Sequence, residues 1–370
     1  MDRHRHGLPH RPAPPDPAGQ EAGRPPAAVL AIDAGNSKTD VALVAADGTV
    51  LGTARGGGFQ PQADGFEEAV AALGPLVDAA AREAGLGPVP VPVPGPVPGS
   101  AGEPPLSEHV SACLANADLP VEEERLRAAI AARRWGATTA VVNDTFGLLR
   151  AGVDTPRGVA VVCGAGINCV GLLPDGRTAR FPALGMLTGD WGGGGGLAAE
   201  SMWHATRAED GRGAPTALAP MIGAHFGLPG AGAVAEAVHL GGLDPSRLHE
   251  IVHVLFAAAE EGDPTALQLI DRQADEITRL ALVALTRLDL LDEPTPVVLG
   301  GGVLAANRPL LIDNLTARLA RAAPLAEPRV VVAPPVLGAA LLGLDHLTAA
   351  PAAHQHLRNA YPATTRPVAA

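Results

Sequence analysis

This chain of 370 residues has few cysteines, few aromatic residues and no long apolar run. Its cysteines are Cys113, Cys163 and Cys169, and none forms a CxxC pair, so a disulfide framework is excluded and a reducing compartment is indicated. The N-terminal segment carries basic residues without an apolar core, and no apolar stretch approaches the roughly 18 residues that span a bilayer. We therefore expect a cytoplasmic protein with no membrane partner.

Positive charge is scarce, and lysine is almost missing. The formal net charge is −12, which excludes a broad basic surface for binding nucleic acid. Arginine occurs 26 times and lysine once, at Lys38. This ratio indicates a bias that replaces lysine with arginine wherever either residue serves. Lys38 is therefore of interest, because a compact ammonium and a planar guanidinium are not interchangeable at a tight phosphate site.

Three segments lack the periodic apolar pattern of a folded domain. Residues 1–27 and 350–370 are predicted to be tails, and the proline-rich stretch at 88–105 is predicted to be a loop insertion with polyproline II character. The chain length that remains predicts about two domains.

A strand–turn–strand plan occurs twice, at 28–55 and at 158–181. In each copy two apolar runs flank a turn of small residues, and an Asp-Gly pair leads to a third strand. This order, with helices after each copy, predicts two α/β domains that face each other. The other predicted elements are helices at 64–85, 120–134, 264–290, 308–322 and 336–347, and strands that end at Asn143 and at Gly302.

The first turn contains the residues Gly35, Asn36, Ser37, Lys38 and Thr39. It offers backbone N–H groups, two hydroxyls and one cation, which suits phosphate oxygens, although it is not a Walker A loop. Asp33, at the end of the preceding strand, could hold Mg²⁺ through water, because that ion keeps much of its hydration shell. The alternative is an ordinary polar hairpin turn.

Two more glycine turns lie farther along the chain. Gly164, Ala165 and Gly166 occupy the equivalent turn of the second strand–turn–strand copy, where glycine permits close approach of a ligand to the backbone. Opposed turns, one in each domain, can hold a triphosphate between them. Gly300, Gly301 and Gly302 follow a buried strand and either contact a bulky ligand or cap the strand before a helix.

Two aspartates lie beside such turns. Asp144 ends an apolar strand, where a carboxylate can accept a proton from a hydroxyl group or cap the following helix. Gly189 and Asp190 precede the glycines at 192–196. Five glycines carry a large backbone-entropy cost, so we expect a mobile loop that closes over a ligand, with Asp190 as an acceptor for a hydroxyl group.

Taken in order, the motifs IDAGNSKTD, NDTFGLL, CGAGINCVG, GDWGGGGG and LGGGV resemble the sugar kinase/heat-shock ATPase/actin superfamily. Within it the chain resembles the BadF/BadG/BcrA/BcrD ATPase family, on the N-acetylglucosamine kinase-like branch, over about 28–345. The resemblance implies an α/β fold of two ribonuclease-H-like (actin/hexokinase-type) domains, at 28–155 and 156–335, with ATP and Mg²⁺ in the cleft between them. It also implies that a helix at 336–349 packs back on the first domain, and that the protein forms a homodimer.

The same resemblance implies phosphorylation of an amino sugar, N-acetylglucosamine or a related hexose. Asp144 matches the general base, Lys38 supplies positive charge, and the three glycine turns bind the nucleotide. The residues expected to contact the sugar are Gln60, Asn143, Asn168, Gly189 and Asp190.

Three positions depart from the kinase pattern. Ala165 replaces a threonine, Trp191 replaces an acidic residue, and the segment at 57–62 has Gln60 and Gln62 in place of a sugar-binding asparagine. Two other functions therefore stay open. One is an ATPase that drives electron transfer to a dehydratase or reductase through a cysteine-bound iron–sulfur cluster. The other is a non-catalytic sugar-binding regulator.

Overall fold

The computed structural model describes residues 27–87, 104–361 and 365–367. Most of the predicted N-terminal tail and of the proline-rich loop therefore lies outside the described residues. Within them the chain forms two sheets and thirteen α-helices, which agrees with the predicted α/β class.

The first sheet has five strands in the order β3-β2-β1-β4-β5. β1, β2 and β3 form an antiparallel meander, and β4 and β5 extend it in parallel on the other side of β1. β4 follows the proline-rich segment and was not specified by the sequence analysis. The strands are β1 Ala27–Ala34, β2 Thr39–Ala45, β3 Val50–Gly56, β4 Ser107–Leu114 and β5 Gly136–Asn143.

The second sheet repeats this topology. Its strands run in the order β11-β10-β9-β6-β7-β8, so the antiparallel meander β6-β7-β8 and the parallel strands β9 and β10 reproduce the first sheet, with β11 added at the edge. The predicted second strand–turn–strand copy is confirmed. The strands are β6 Gly158–Cys163, β7 Ile167–Leu172, β8 Thr178–Arg180, β9 Thr295–Gly300, β10 Ala326–Val331 and β11 Thr365–Pro367.

Helices cover both faces of the sheets. No single helix in the described part of the chain is long and apolar enough to span a membrane. Two consecutive helices, Leu218–Phe226 and Ala231–His239, reach that length and apolar character only when taken together, and the chain bends by 48° between them. The α-helices are α1 Pro61–Asp64, α2 Phe66–Glu83, α3 Pro120–Ala132, α4 Asp144–Gly152, α5 Gly193–Glu209, α6 Leu218–Phe226, α7 Ala231–His239, α8 Ile251–Glu260, α9 Pro264–Arg287, α10 Gly302–Ala305, α11 Pro309–Ala322, α12 Val336–His346 and α13 Pro351–Asn359.

The alternation of side chains along β1 divides the core into layers. Leu30 and Ile32 pack into a cluster on the outer face of the first sheet, with residues of α2 and α3. Val29 and Ala31 face the opposite way, into a middle cluster built from α4, α12 and both sheets. A third cluster covers the outer face of the second sheet with α5, α8 and α9. Because side chains alternate with a period of two, a single strand can serve two cores.

The C-terminal segment differs from the sequence prediction. Residues 350–370 were expected to form a tail, but α13 occupies much of that segment, and Ala353 and Leu357 are buried in the middle cluster. The guanidinium of Arg358 donates hydrogen bonds to carbonyl groups at the C-terminal end of α4. α13 is ordered because these buried apolar groups and backbone acceptors compensate for the entropy lost on ordering it.

Candidate active site

The first turn lies between β1 and β2. The N–H of Gly35 donates to the carbonyl of Lys38 at 2.8 Å, and Asn36, Ser37 and Lys38 are exposed. Thr39 is buried as the first residue of β2. The turn therefore exposes the ammonium group of Lys38 and the side chains of Asn36 and Ser37 at the protein surface.

A neighbouring segment fixes this turn from one side. The N–H of Phe59 donates to the carbonyl of Gly35 at 3.0 Å, and a Cβ on Gly58 would lie 2.1 Å from the carbonyl oxygen of Asn36. The side chain of Asn116, after β4, donates to Asn36 Oδ1 at 2.8 Å. Asn116 was not singled out in the sequence. Asn116 has a positive φ of 62°, a backbone conformation that asparagine tolerates better than most residues. An asparagine just after a strand end is therefore the only sequence signal that could have identified this residue.

The two predicted glutamines have different positions. Gln62 donates hydrogen bonds to the carbonyl of Asn116 at 2.7 Å and to the carboxylate of Glu122 at 3.0 Å, so its amide braces the loop after β4. Gln60 is exposed at the start of α1, and its side chain makes no capping hydrogen bond. Of the two, Gln60 is therefore the one whose amide is exposed.

The glycine turns of the second half meet at one junction. The N–H groups of Gly194 and Gly195 donate to the carbonyls of Gly164 and Ala165 at 2.7 and 2.9 Å. A Cβ on Gly301, whose φ is +85°, would lie 2.5 Å from the carbonyl carbon of Cys163. Segments far apart in the sequence thus pack backbone against backbone, which residues with side chains would prevent.

This junction corrects one expectation. Residues 193–196 were expected to belong to a mobile loop, but they form the first turn of α5. The N–H of Gly193 donates to the side-chain oxygen of Gln273 at 2.9 Å. Gln273, buried on α9, was missed because an isolated helical glutamine carries no sequence signal. The N-terminus of α5 directs its N–H groups at the turn at 164–166. The loop that precedes the helix therefore ends at Gly192.

Asp190 and Gly189 lie in that shorter loop. The carboxylate of Asp190 accepts a hydrogen bond from the hydroxyl of Thr188 at 2.5 Å, while Gly189 is exposed. Trp191 is buried; its indole N–H donates to Glu200 at 3.1 Å, and the guanidinium of Arg272 lies 4.1 Å from the ring centroid. Trp191, at the position where the kinase pattern has an acidic residue, is thus buried and presents no polar group to the cleft.

Asn143, and not Asp144, caps the helix that follows β5. Its side-chain oxygen accepts from the N–H of Thr145 at 3.0 Å, so Asp144 is the first residue of α4. Among the described residues the carboxylate of Asp144 has one hydrogen-bond partner, the hydroxyl of Thr145 at 3.3 Å. Burial raises the pKa of Asp144 to about 6, against the opposing effect of the Thr145 hydrogen bonds.

Asn143, a residue predicted to contact the sugar, has an amide that is bonded to other side chains of the protein. It is only 2% exposed, and its amide donates to Asp118 Oδ1 at 2.9 Å while its oxygen accepts from Asn168 at 3.2 Å. These bonds commit the side chain of Asn143 to protein groups. Asn168 comes from β7 in the second sheet, so this contact joins the two halves directly beside Asp144.

Carboxylates crowd this point. Burial, with smaller contributions from Asp144 and Asp40, holds the pKa of Asp33 well above its usual range, and Lys38 opposes this. Burial and the neighbouring Asp144 raise the pKa of Asp118 to about 7. Asp118 was not predicted, since it lies in a loop after a strand that was itself missed. Carboxylates that repel one another favour the binding of a cation, which compensates their charge.

Direct metal ligation is not built into the described residues, where no group of three or more His, Cys, Asp or Glu side chains converges. Asp33 fits the chemistry expected for Mg²⁺, an ion that retains water and needs few carboxylates. Cys163 and Cys169 are fully buried, and burial raises the pKa of Cys163 to about 12. Neither thiol reaches the surface, where an iron–sulfur cluster shared between two subunits would need it.

Comparisons with known proteins agree with this architecture. The model of the BadF/BadG/BcrA/BcrD ATPase family matches residues 30–343. The chain is 24% identical over 164 residues to an N-acetylmuramic acid/N-acetylglucosamine kinase of Clostridium acetobutylicum, covering 44% of this chain and 54% of that protein. It is 26% identical over 210 residues to an N-acetyl-D-glucosamine kinase of Dictyostelium discoideum, covering 55% and 64%. The matched segments thus span less than two thirds of these relatives.

The structural comparison covers more of the chain. A candidate N-acetylglucosamine kinase from Chromobacterium violaceum aligns with a TM-score of 0.63 at 22% identity, over 86% of this chain and 99% of that one. The fold is therefore the two-domain fold of the actin/hexokinase type. Within this class the chain belongs to the BadF/BadG/BcrA/BcrD ATPase family.

Proposed function

We propose that this protein is an ATP-dependent kinase that phosphorylates an amino sugar, N-acetylglucosamine or a related hexose. The observation that carries the proposal is the position of Asp144. Its carboxylate has a single hydroxyl partner among the described residues, follows directly after Asn143, whose side chain bonds to Asn168 of the second half, and has a pKa of about 6. A general base works best when its pKa lies near the operating pH, because it is then unprotonated and still basic enough to accept a proton.

In this proposal Asp144 orients the sugar hydroxyl and accepts its proton as the oxygen attacks the γ-phosphorus of ATP; the bond from that phosphorus to the bridging oxygen breaks and ADP leaves. Asn168, Gly189 and Asp190 bind other hydroxyl groups of the sugar, with Gln60 in place of the asparagine of related kinases. Asn143 positions both Asp144, which follows it in the chain, and Asn168, which donates a hydrogen bond to its side-chain oxygen. Phosphoryl transfer needs little covalent chemistry from the protein, so positioning and charge stabilisation supply most of the rate.

The nucleotide is bound by the turns of both halves. N–H groups of the turns at 35–39, 164–166 and 300–302 bind the phosphates and the adenosine, and Lys38 stabilises charge on the transferred group. Asp33 would hold Mg²⁺ through water; when bound, that ion neutralises charge on the phosphate oxygens. Ala165 leaves the second turn without a hydroxyl contact, so its backbone N–H groups carry that side of the site.

A direct assay tests the proposal. Purified protein is incubated with MgATP and N-acetylglucosamine, N-acetylmuramic acid, glucosamine or glucose, while ADP release and a new sugar-phosphate signal in ³¹P NMR are measured. We expect sugar-dependent ADP release with at least one amino sugar. If ATP and sugar both bind, by calorimetry, but no phosphate is transferred, the protein is a sugar-binding regulator. Stoichiometric iron in anaerobically purified protein would instead support the electron-transfer ATPase.

We also propose that the protein works in the cytoplasm as a homodimer. The three thiols in a chain with no CxxC pair support the first statement. Family likeness supports the second, and sedimentation at several protein concentrations tests it.

A further inference from the structure

Glu123 and Arg180 join the two halves of the molecule across the cleft. Glu123 lies on α3, which packs against β5, and Arg180 is the last residue of β8. The guanidinium donates Nη2 to Glu123 Oε1 at 2.7 Å and Nη1 to Oε2 at 2.9 Å, a bidentate pair. β5 and β8 are edge strands of different sheets, so this pair links one half to the other.

The same carboxylate also holds the backbone beside Asp144. Glu123 Oε1 accepts a hydrogen bond from the N–H of Asn143 at 3.0 Å. An edge strand has N–H groups on its open side with no strand partner, and a buried donor left unpaired is costly. Glu123 Oε1 therefore accepts both from the last N–H of β5 and from Arg180 Nη2, while Oε2 accepts from Arg180 Nη1.

Two further contacts hold Arg180 in place. Its carbonyl accepts a hydrogen bond from Arg287 at 2.9 Å, and its guanidinium lies 5.4 Å from the ring centroid of Phe146 on α4. The side chains of Arg180 and Glu123 are 29% and 15% exposed. A bidentate, partly desolvated pair of this kind is stronger and more directional than the exposed ion pairs elsewhere on the surface.

We infer that Arg180 is a positioning residue: through Glu123 it fixes Asn143, and so places Asp144 against the substrate when the two halves are closed. This inference rests on the proposed role of Asp144. Among the described residues, the Arg180 side chain has no hydrogen bond or ion pair to the proposed sugar contacts or to the glycine turns, so its loss should lower kcat and leave the KM for sugar almost unchanged. A misplacement of about 1 Å costs up to about 10²-fold in rate.

The test compares R180M with R157M. Arg157 makes an ion pair with Glu293 at 2.7 Å and donates to the carbonyl of Pro294; among the described residues it has no hydrogen bond or ion pair to α3, β5 or α4. We expect R180M to lower kcat by about 10- to 100-fold with the KM for sugar within about threefold, and R157M to leave both unchanged. R180K, which keeps the charge but not the fork, should lie between R180M and the wild type, and it serves if R180M does not fold.

A double variant tests the route of the effect. If Arg180 acts through Glu123, the E123Q/R180M protein should lose no more kcat than the more damaged single variant, because residues in one network are not additive. Additive losses would overturn the inference. So would an R180M protein with raised KM and unchanged kcat, since Arg180 would then contribute to binding and not to positioning.

Hydrogen exchange gives a readout that does not depend on catalysis. Exchange in peptides covering residues 140–148 should be faster in R180M than in the wild type and unchanged in R157M. If the wild-type protein phosphorylates no sugar, the proposed function fails, and this exchange experiment still decides whether Arg180 holds the strand end. Equal exchange in R180M and the wild type would show that it does not.

Discussion

Gly193 and Gly166 are packed so closely that a Cβ on Gly193 would lie 2.5 Å from the carbonyl carbon of Gly166. Gly193 also has a φ of +70°, which side chains disfavour. The contact places the N-terminus of α5 directly on the turn at 164–166. The packing thus requires glycine at position 193, whereas a Cβ on Gly166 would meet no atom within 4 Å.

We expect Gly193→Ala to lower the free energy of unfolding by about 1–3 kcal/mol, the cost of strained backbone, and to weaken ATP binding. Gly196→Ala is the matched control: it lies in the same helical turn with no atom within 4 Å of the added Cβ. That change should be neutral or stabilise by about 0.5–1 kcal/mol, since alanine favours helix. Urea unfolding and calorimetric ATP titration measure both effects. Equal stability of the two variants would contradict the packing argument.

Asp144→Asn should reduce sugar phosphorylation by about 10²–10⁴-fold, the usual contribution of a general base. Asn143 caps α4, so the helix should keep its start, and the melting temperature and ATP affinity should change little. Steady-state ADP release with saturating sugar measures the loss. Asp313→Asn, an exposed position on α11, is the control and should behave as wild type. Near-normal turnover in Asp144→Asn would remove it from the mechanism.

Lys38→Arg should lower kcat by at least about tenfold, because a charge placed on the transferred phosphate is a main source of rate. Arg55 already binds Asp40 through two contacts at 2.5 and 3.1 Å, whereas the ammonium of Lys38 is 3.9 Å away and its side chain is 48% exposed. The amine is therefore available to a phosphate. Arg321→Lys, the reverse exchange on an exposed helix face, should have no effect. A fully active Lys38→Arg enzyme would show that the single lysine is accidental.

The pH profile should report the carboxylate at the cleft. Because the pKa of Asp144 is about 6, kcat/KM should fall below that pH, approaching tenfold per pH unit as the base becomes protonated. Initial rates in buffers of constant ionic strength, at sugar concentrations below KM, test this. An acid limb near the ordinary pKa of an aspartate would indicate that Asp144 is not buried in the working enzyme.

Stability should also depend on pH through His109. Its ring stacks on His346 with centroids 3.9 Å apart, and burial together with His346 lowers its pKa to about 4. The unfolded chain titrates near about 6.5, so between these values it binds more protons than the folded chain, and the free energy of unfolding falls as the pH is lowered.

Urea unfolding at about pH 7 and about pH 5 measures the decrease expected from this linkage. His109→Asn removes the titrating ring and should show a smaller decrease than the wild type. His239→Asn, at an exposed position near the end of α7, should match the wild type. If His109→Asn retains the full decrease, other groups cause the acid sensitivity.

Much of the fold followed from local sequence patterns. Apolar alternation of period two and small turn residues predicted the two strand–turn–strand copies, and helical periodicity predicted α2, α3, α9, α11 and α12. These signals are readable because they depend on neighbours within a few residues. The identity of the family followed likewise from motifs in which glycine and aspartate occupy strand ends.

The arrangement of the site was decided by tertiary structure. Asparagine and aspartate are both common helix caps, so the sequence alone does not show whether Asn143 or Asp144 caps α4. The structure decides it, because the side chain of Asn143 accepts the hydrogen bond from the N–H of Thr145. Arg180 and Glu123 are 57 residues apart, and nothing local in either segment indicates their pairing. The order of α13 likewise comes from buried contacts with α4 and the middle cluster. The sequence by itself thus determined which residue types stand at the strand ends. The packing of two sheets around α4 decided which of those side chains are already bonded to the protein and which stay free, since hydrogen-bond partners are chosen by distance in space and not along the chain.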